Sequence, residues 1–209
     1  MKSISSLQKL LFVFFFFIVA MVAARMMYSG KYYFVFIIWN IILAWVPYFL
    51  SGFFKQENRN WRNAGVFAAW LLFFPNALYI VTDLVHINES EVTVQHAWFD
   101  ALLIFSASVL GLVLAFISLN RVEKFLLLHF HKKVMSFIVP GLLLIGSFGV
   151  YLGRFLRWNS WDIIHHPYSL IHSVAERLIF PFDHLVTWGV TLTLTGLFYF
   201  LYLMAKKIP

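Results

Sequence analysis

Trp70-Leu-Leu-Phe-Phe-Pro-Asn-Ala-Leu-Tyr-Ile-Val-Thr-Asp-Leu-Val-His86 is apolar enough to cross a membrane, yet it carries Asn76, Tyr79, Asp83 and His86. At about 100° per residue these four fall at i, i+3, i+7 and i+10, on one face of a single helix. Polar groups in hydrocarbon require partners, so the remaining sequence is read for what could meet this stripe.

Of 209 residues, 62% are hydrophobic, 12% are charged and 25 are phenylalanine. That excludes a soluble globule, whose apolar share is about one half. The lack of cysteine excludes disulfides, thiolate metal sites and a cysteine nucleophile, leaving histidine and carboxylate as the strong metal ligands. A net charge of +7 could suggest nucleic acid, but the basic residues stand as scattered pairs beside apolar spans. They read as topology determinants, with membrane lipids as partners and no nucleic acid.

About 20 apolar residues span the hydrocarbon core. Six such stretches occur, near 7–27, 32–54, 64–84, 98–119, 134–155 and 183–205. The expected fold class is all-α: a polytopic membrane helix bundle forming a single transmembrane domain over 1–209, with about six transmembrane helices plus one or two interfacial helices. One interfacial helix is expected over Pro167 to Phe180, where Leu170, Ile171, Val174, Leu178 and Ile179 form a helical stripe ahead of Pro181. A similar one is expected between Asn120 and Lys133. The first stretch follows Lys2 and Lys9 and ends in Val22-Ala23-Ala24, which suits signal cleavage, but its apolar core exceeds a signal h-region. A retained first helix is expected.

With a cytoplasmic N-terminus, the inner side holds eleven lysines and arginines, among them Lys55, Arg121, Lys132 and Lys206, and the outer side five: Arg25, Lys31, Arg154, Arg157 and Arg177. This predicts a cell-membrane protein with both termini cytoplasmic. The unusual polar residues then gather outside. Asp83, His86, Glu89, Glu91, His96 and Asp100 border one loop, and Arg154, Arg157, Asn159, Asp162, His165, His166, His172, Glu176, Asp183 and His184 border another.

Several features could meet the opening stripe. Asn40, Ala44, Pro47 and Ser51 form a small and polar face on the second helix. Asn40 and Asn76 both lie about 12 Å deep, at 1.5 Å per residue, and could clasp each other. Pro47 and Pro75 each free a carbonyl one turn earlier, so ordinary kinks are expected, with a cavity beside the two asparagines as the alternative. Gly146, Gly149 and Gly153 include a GxxxG pattern that permits close packing. Arg154 and Arg157, three apart, share one side of a helix end; they could snorkel, fork an anion, or pair with Asp83, Asp100 or Asp162. Thr187, Thr191 and Thr195 stripe the last helix, where backbone bonding suffices for them.

Leu43-Ala-Trp-Val-Pro-Tyr48, Phe74-Pro-Asn-Ala-Leu-Tyr-Ile-Val-Thr-Asp-Leu-Val-His86, Trp98-Phe-Asp100 and Tyr151-Leu-Gly-Arg-Phe-Leu-Arg-Trp-Asn-Ser-Trp-Asp162 together resemble a bacterial integral-membrane family catalogued as domain of unknown function 1361. The resemblance covers about residues 30 to 205 and implies a bacterial multi-pass membrane protein. It implies no activity, so residue roles rest on chemistry alone.

The leading functional expectation is a membrane-embedded hydrolase or transferase acting on a lipid, lipid-linked or envelope substrate at the extracytoplasmic face. Asp83, His86 and Asp100 are its candidate catalytic residues; Asn40, Asn76, Tyr79, Arg154, Arg157, Asn159 and Asp162 are its candidate binding residues for an anionic substrate. A divalent metal would draw on Asp83, His86, His165 and His166, although Asp-x-x-His is common in ordinary helices and neither HExxH nor HxxxH occurs. The alternatives are transport or binding along a path lined by Asn40, Asn76 and Asp83, and an accessory subunit whose polar cluster only fixes the bundle.

Overall fold

Ser5 and Gln8 start the first helix by a reciprocal capping box: the Ser5 hydroxyl accepts from the Gln8 amide at 3.2 Å, and the Gln8 side chain accepts from the Ser5 amide at 3.0 Å. Gly30, at φ 64°, ends it with a left-handed cap whose amide donates to Met26. The structure, a computed structural model, describes residues 5–30, 32, 34–55, 61–88 and 94–207, the side chains of 86–88 and 94–96 excepted. The helices are α1 Ser6–Ser29, α2 Val35–Leu50, α3 Trp61–Tyr79, α4 Val94–Leu126, α5 Lys132–Leu156, α6 Asp162–His165, α7 Pro167–Ile179 and α8 Leu185–Lys207, with a 3-10 segment Ile80–Asn88 continuing α3. No strand occurs among the described residues.

The molecule is an all-α helical membrane bundle. Five helices are long and apolar enough to cross a membrane: α1, α3 with its continuation to Val85, α4, α5 and α8. The sixth apolar helix, α2, has 16 residues and a length of about 24 Å. α1, α5 and α8 lie within two residues of their expected limits at both ends. α2 packs against α3 and α4, α5 against α3 and α8, and α1 against α4. Trp70, Phe74, Leu78, Ile104, Leu110 and Leu114 are fully buried at the centre. Trp70 stacks on Phe74 at 4.6 Å and turns its indole N–H toward the Ser118 hydroxyl at 3.4 Å.

The glycines of α5 are contact points with α3. A Cβ at Gly149 would lie 2.5 Å from Pro75 Cγ, and one at Gly146 would lie 3.0 Å from Phe74 and Leu78. The proline ring of α3 thus sits in a notch that only glycine provides. Thr187 and Thr191 are buried on α8, and Thr195 donates to the Thr191 carbonyl at 2.7 Å. The Thr187 and Thr191 hydroxyls have no hydrogen-bond partner among the described residues, so backbone bonding satisfies only Thr195 of the three.

Two local expectations are corrected. The segment from Asn120 to Lys133 is not a separate interfacial helix, because α4 runs on to Leu126 before a tight turn in which His129 and Phe130 both donate to the Leu126 carbonyl at 2.9 Å. The charges that seemed to end the span are paired inside it. Arg121 donates to the Tyr48 carbonyl at 3.1 Å and lies 4.3 Å from the Tyr48 ring centroid, while Glu123 accepts from Tyr202 at 2.5 Å and from Lys206 at 2.7 Å. The second correction concerns the opening stripe. After Tyr79 the chain tightens to 3-10 geometry, at about 120° per residue, so the four residues do not lie along one continuous α-helix. Ser108 of α4 marks this change by donating to the Ile80 carbonyl at 3.2 Å.

α7 begins at Pro167 as expected and is amphipathic, with Tyr168, Ile171, Leu178 and Ile179 exposed along it. The single turn α6 precedes it. An exposed apolar helix of this kind suits the interface of a bilayer.

Candidate functional site

The polar residues converge at the end of the bundle where α1 and α5 finish and α4 begins, here termed the acidic end. Asp83, 1% exposed, is held on both oxygens. Arg154 of α5 donates through Nη2 to Oδ1, and Asn40 of α2 donates through Nδ2 to Oδ2 at 2.8 Å. Arg154 is in turn fixed by its Nε, which donates to Thr82 at 2.9 Å, and by the Tyr79 ring, 4.4 Å from the guanidinium carbon. The Thr82 hydroxyl donates to the Tyr79 carbonyl at 2.6 Å. The 3-10 turn therefore presents Tyr79, Thr82 and Asp83 to one arginine, and the cluster joins α2, α3 and α5.

A second ion pair lies at the same end. Arg25 of α1 makes a bidentate fork on Asp100 of α4, with Nε to Oδ1 at 2.6 Å and Nη2 to Oδ2 at 3.0 Å. Asp100 is fully buried and Arg25 is 6% exposed. A planar fork matches both carboxylate oxygens at once, and each charge neutralises the other in a low-dielectric surrounding. Together the two clasps tie four of the long apolar helices and α2 into the acidic end.

Asn76 does not meet Asn40. Its Nδ2 donates to Ser160 at 2.9 Å and to the Phe73 carbonyl at 3.1 Å, and Ser160 donates to the Leu72 carbonyl at 3.0 Å. Ser160 thus reaches α3 next to the Leu71 carbonyl that Pro75 deprives of its helical donor. The two asparagines are expected at one depth, but Asn40 bonds Asp83 while Asn76 bonds Ser160. Arg154 and Arg157 do not form a fork. Arg157 has left helical geometry at φ 59°, with the following amide, Trp158, donating to Leu152 at 3.2 Å, and its side chain is exposed.

Asn159 and Asp162 form a local turn, the Asp162 carboxylate accepting from the Asn159 amide at 2.7 Å. Trp161 beside them packs edge-on against Trp39 of α2 at 6.5 Å. His165 and His166 are exposed on and after α6, and His165 Nδ1 lies 3.1 Å from the Trp161 carbonyl oxygen. The side chains of His86 and His96, and Glu89 and Glu91 entirely, lie outside the described residues. No group of three or more histidine, aspartate or glutamate side chains that could hold a metal occurs among the described residues.

Arg25, Thr82 and Ser160 complete the cluster, and the sequence marks them unequally. Arg25 had a signal: a cation at the end of an apolar span, on the same side as the lone acid Asp100 that opens another. Ser160 had none, since a serine between two tryptophans in a loop carries no pattern.

Fold and site together define a helical membrane bundle pinned at one end by buried ion pairs. The chain belongs to the family described as "Protein of unknown function (DUF1361)", whose model matches residues 39–203. No curated protein and no solved structure gives a significant match.

Proposed function

We propose that the protein is a non-enzymatic membrane module, a binding or accessory component, whose acidic-end charges hold the bundle rather than perform chemistry. One observation carries this reading: Asp83 and Asp100, the two carboxylates expected to be catalytic, each have both oxygens occupied by arginine or asparagine donors. A carboxylate oxygen that accepts one bond keeps a second lone pair, so these donors do not exhaust the acid; what they do is fix each carboxylate to a neighbouring helix and set a guanidinium beside it. A cation beside Arg154 or Arg25 would also be repelled by it. The excess of lysine and arginine at the opposite end supports placing that end, and both termini, in the cytoplasm of a bacterial cell.

Thermal unfolding of the purified protein in detergent tests this reading. Asp83→Asn and Asp100→Asn should each destabilise, because each leaves a buried arginine without its counter-charge, at a cost of about 3–5 kcal/mol. Stability equal to or above wild type in both variants is the behaviour of catalytic carboxylates, and would reject the clasp.

The hydrolase or transferase reading retains one support. Arg157, one turn beyond Arg154 at the end of α5, holds a positive φ of 59°. Backbone strain of this kind concentrates at functional sites. On that reading the Arg157 conformation serves substrate, so Arg157→Gly would raise stability while impairing activity on a lipid-linked anion.

A further inference from the structure

We infer that the lysine-rich end of the bundle carries a binding site for the headgroup of an anionic phospholipid, in a cavity between α5 and α8 closed on its third side by α4. The cavity measures about 340 Å³. Volumes from about 300 Å³ upward are those of ligand pockets. Val139 and Pro140 of α5 and Leu203 of α8 give its inner part an apolar wall, while Lys132, Ser136 and Lys206 stand toward the helix ends. From Lys132 to Pro140 is eight residues, about 12 Å along the axis, so the cavity runs from headgroup depth into the acyl region.

Three features fit one occupant. Lys132 is the first residue of α5 and is exposed, and the N-cap His131 makes no side-chain bond to the helix amides. An uncapped N-terminus and an ammonium together favour a phosphate. Lys206 is held over the cavity by Glu123, with N–O distances of 2.7 and 2.9 Å. Glu123 is itself balanced by that ammonium and accepts from the Tyr202 hydroxyl, so the net positive charge of the cavity rests on Lys132. The acid therefore does not cancel Lys132. Finally, Pro140 has no amide to offer the Ser136 carbonyl, which leaves an acceptor for a glycerol hydroxyl of the headgroup. A water-soluble phosphate would satisfy Lys132 but leave the apolar wall empty. A lipid fills both parts.

The test is native mass spectrometry of the delipidated full chain with phosphatidylglycerol, phosphatidylcholine and inorganic phosphate. Phosphatidylglycerol should bind about tenfold more tightly than phosphatidylcholine, and Lys132→Gln should erase that preference. Ser136→Trp, at an exposed position, should block binding by filling the mouth, while Lys9→Gln on α1 should leave it unchanged. Equal binding of the two lipids, or phosphatidylglycerol binding undiminished in both cavity variants, would overturn the inference. Inorganic phosphate displacing the lipid at equal concentration would replace the lipid by a simple anion and also overturn it.

Discussion

A buried carboxylate in a membrane span has two fates: it is kept ready for a proton or an ion, or it is clamped by donors from neighbouring helices. Asp83 belongs to the second kind, with Arg154 on one oxygen and Asn40 on the other. Asn40→Leu removes the amide donor from Oδ2 of a side chain that water does not reach. It should cost about 1–3 kcal/mol in equilibrium unfolding. At the other end Tyr202 donates to Glu123 at 2.5 Å, and Tyr202→Phe should cost about 1.5–3 kcal/mol, the range for a hydrogen bond to a charged group. Both are measurable by denaturant titration in a fixed detergent, and a cost near zero for either would show that its bond is dispensable.

At the level of elements, α5 meets α3 through glycine. Gly149→Ala places a Cβ 2.5 Å from the Pro75 ring and should destabilise by about 1–3 kcal/mol, whereas Gly141→Ala, with no heavy atom within 4 Å, should stabilise α5 by up to about 1 kcal/mol. The opposite ranking in thermal unfolding would mean that α3 and α5 do not approach at Gly149. The glycine spacing made this contact readable in the sequence, as the long apolar runs made α1, α5 and α8 readable. The 3-10 segment was not readable, because Ile80 to Asn88 has the composition of an α-helix and its tighter winding follows from tertiary contact, including Ser108 on the Ile80 carbonyl. The extension of α4 past Asn120 was hidden for a related reason: Arg121 and Glu123 read as loop charges until Tyr48, Tyr202 and Lys206 are brought beside them by folding. Of the candidate site, placing Asp83, Asp100, Asp162 and Arg154 at one end of the bundle made an ion pair one of three outlets for Arg154, and folding selects Asp83. Arg25 with Asp100 required a pairing between first and fourth helices that no spacing encodes.

For the whole molecule, the asymmetry of the two ends is the organising feature: paired acids and arginines at one, lysines around a cavity at the other. The chain contains no cysteine, so single cysteines report topology directly. With the lysine-rich end in the cytoplasm, a membrane-impermeant thiol reagent should label His166→Cys in intact cells and His129→Cys only after lysis; the reverse pattern would invert the orientation. What holds the acidic end together is the central claim, and a double-mutant cycle on Asp83→Asn and Arg154→Met, read by equilibrium unfolding, tests it most directly. If the two residues form a clasp, each single variant loses stability and the double variant loses less than their sum, with a coupling of at least about 1 kcal/mol. Additive losses, or single variants as stable as the wild type, would contradict it.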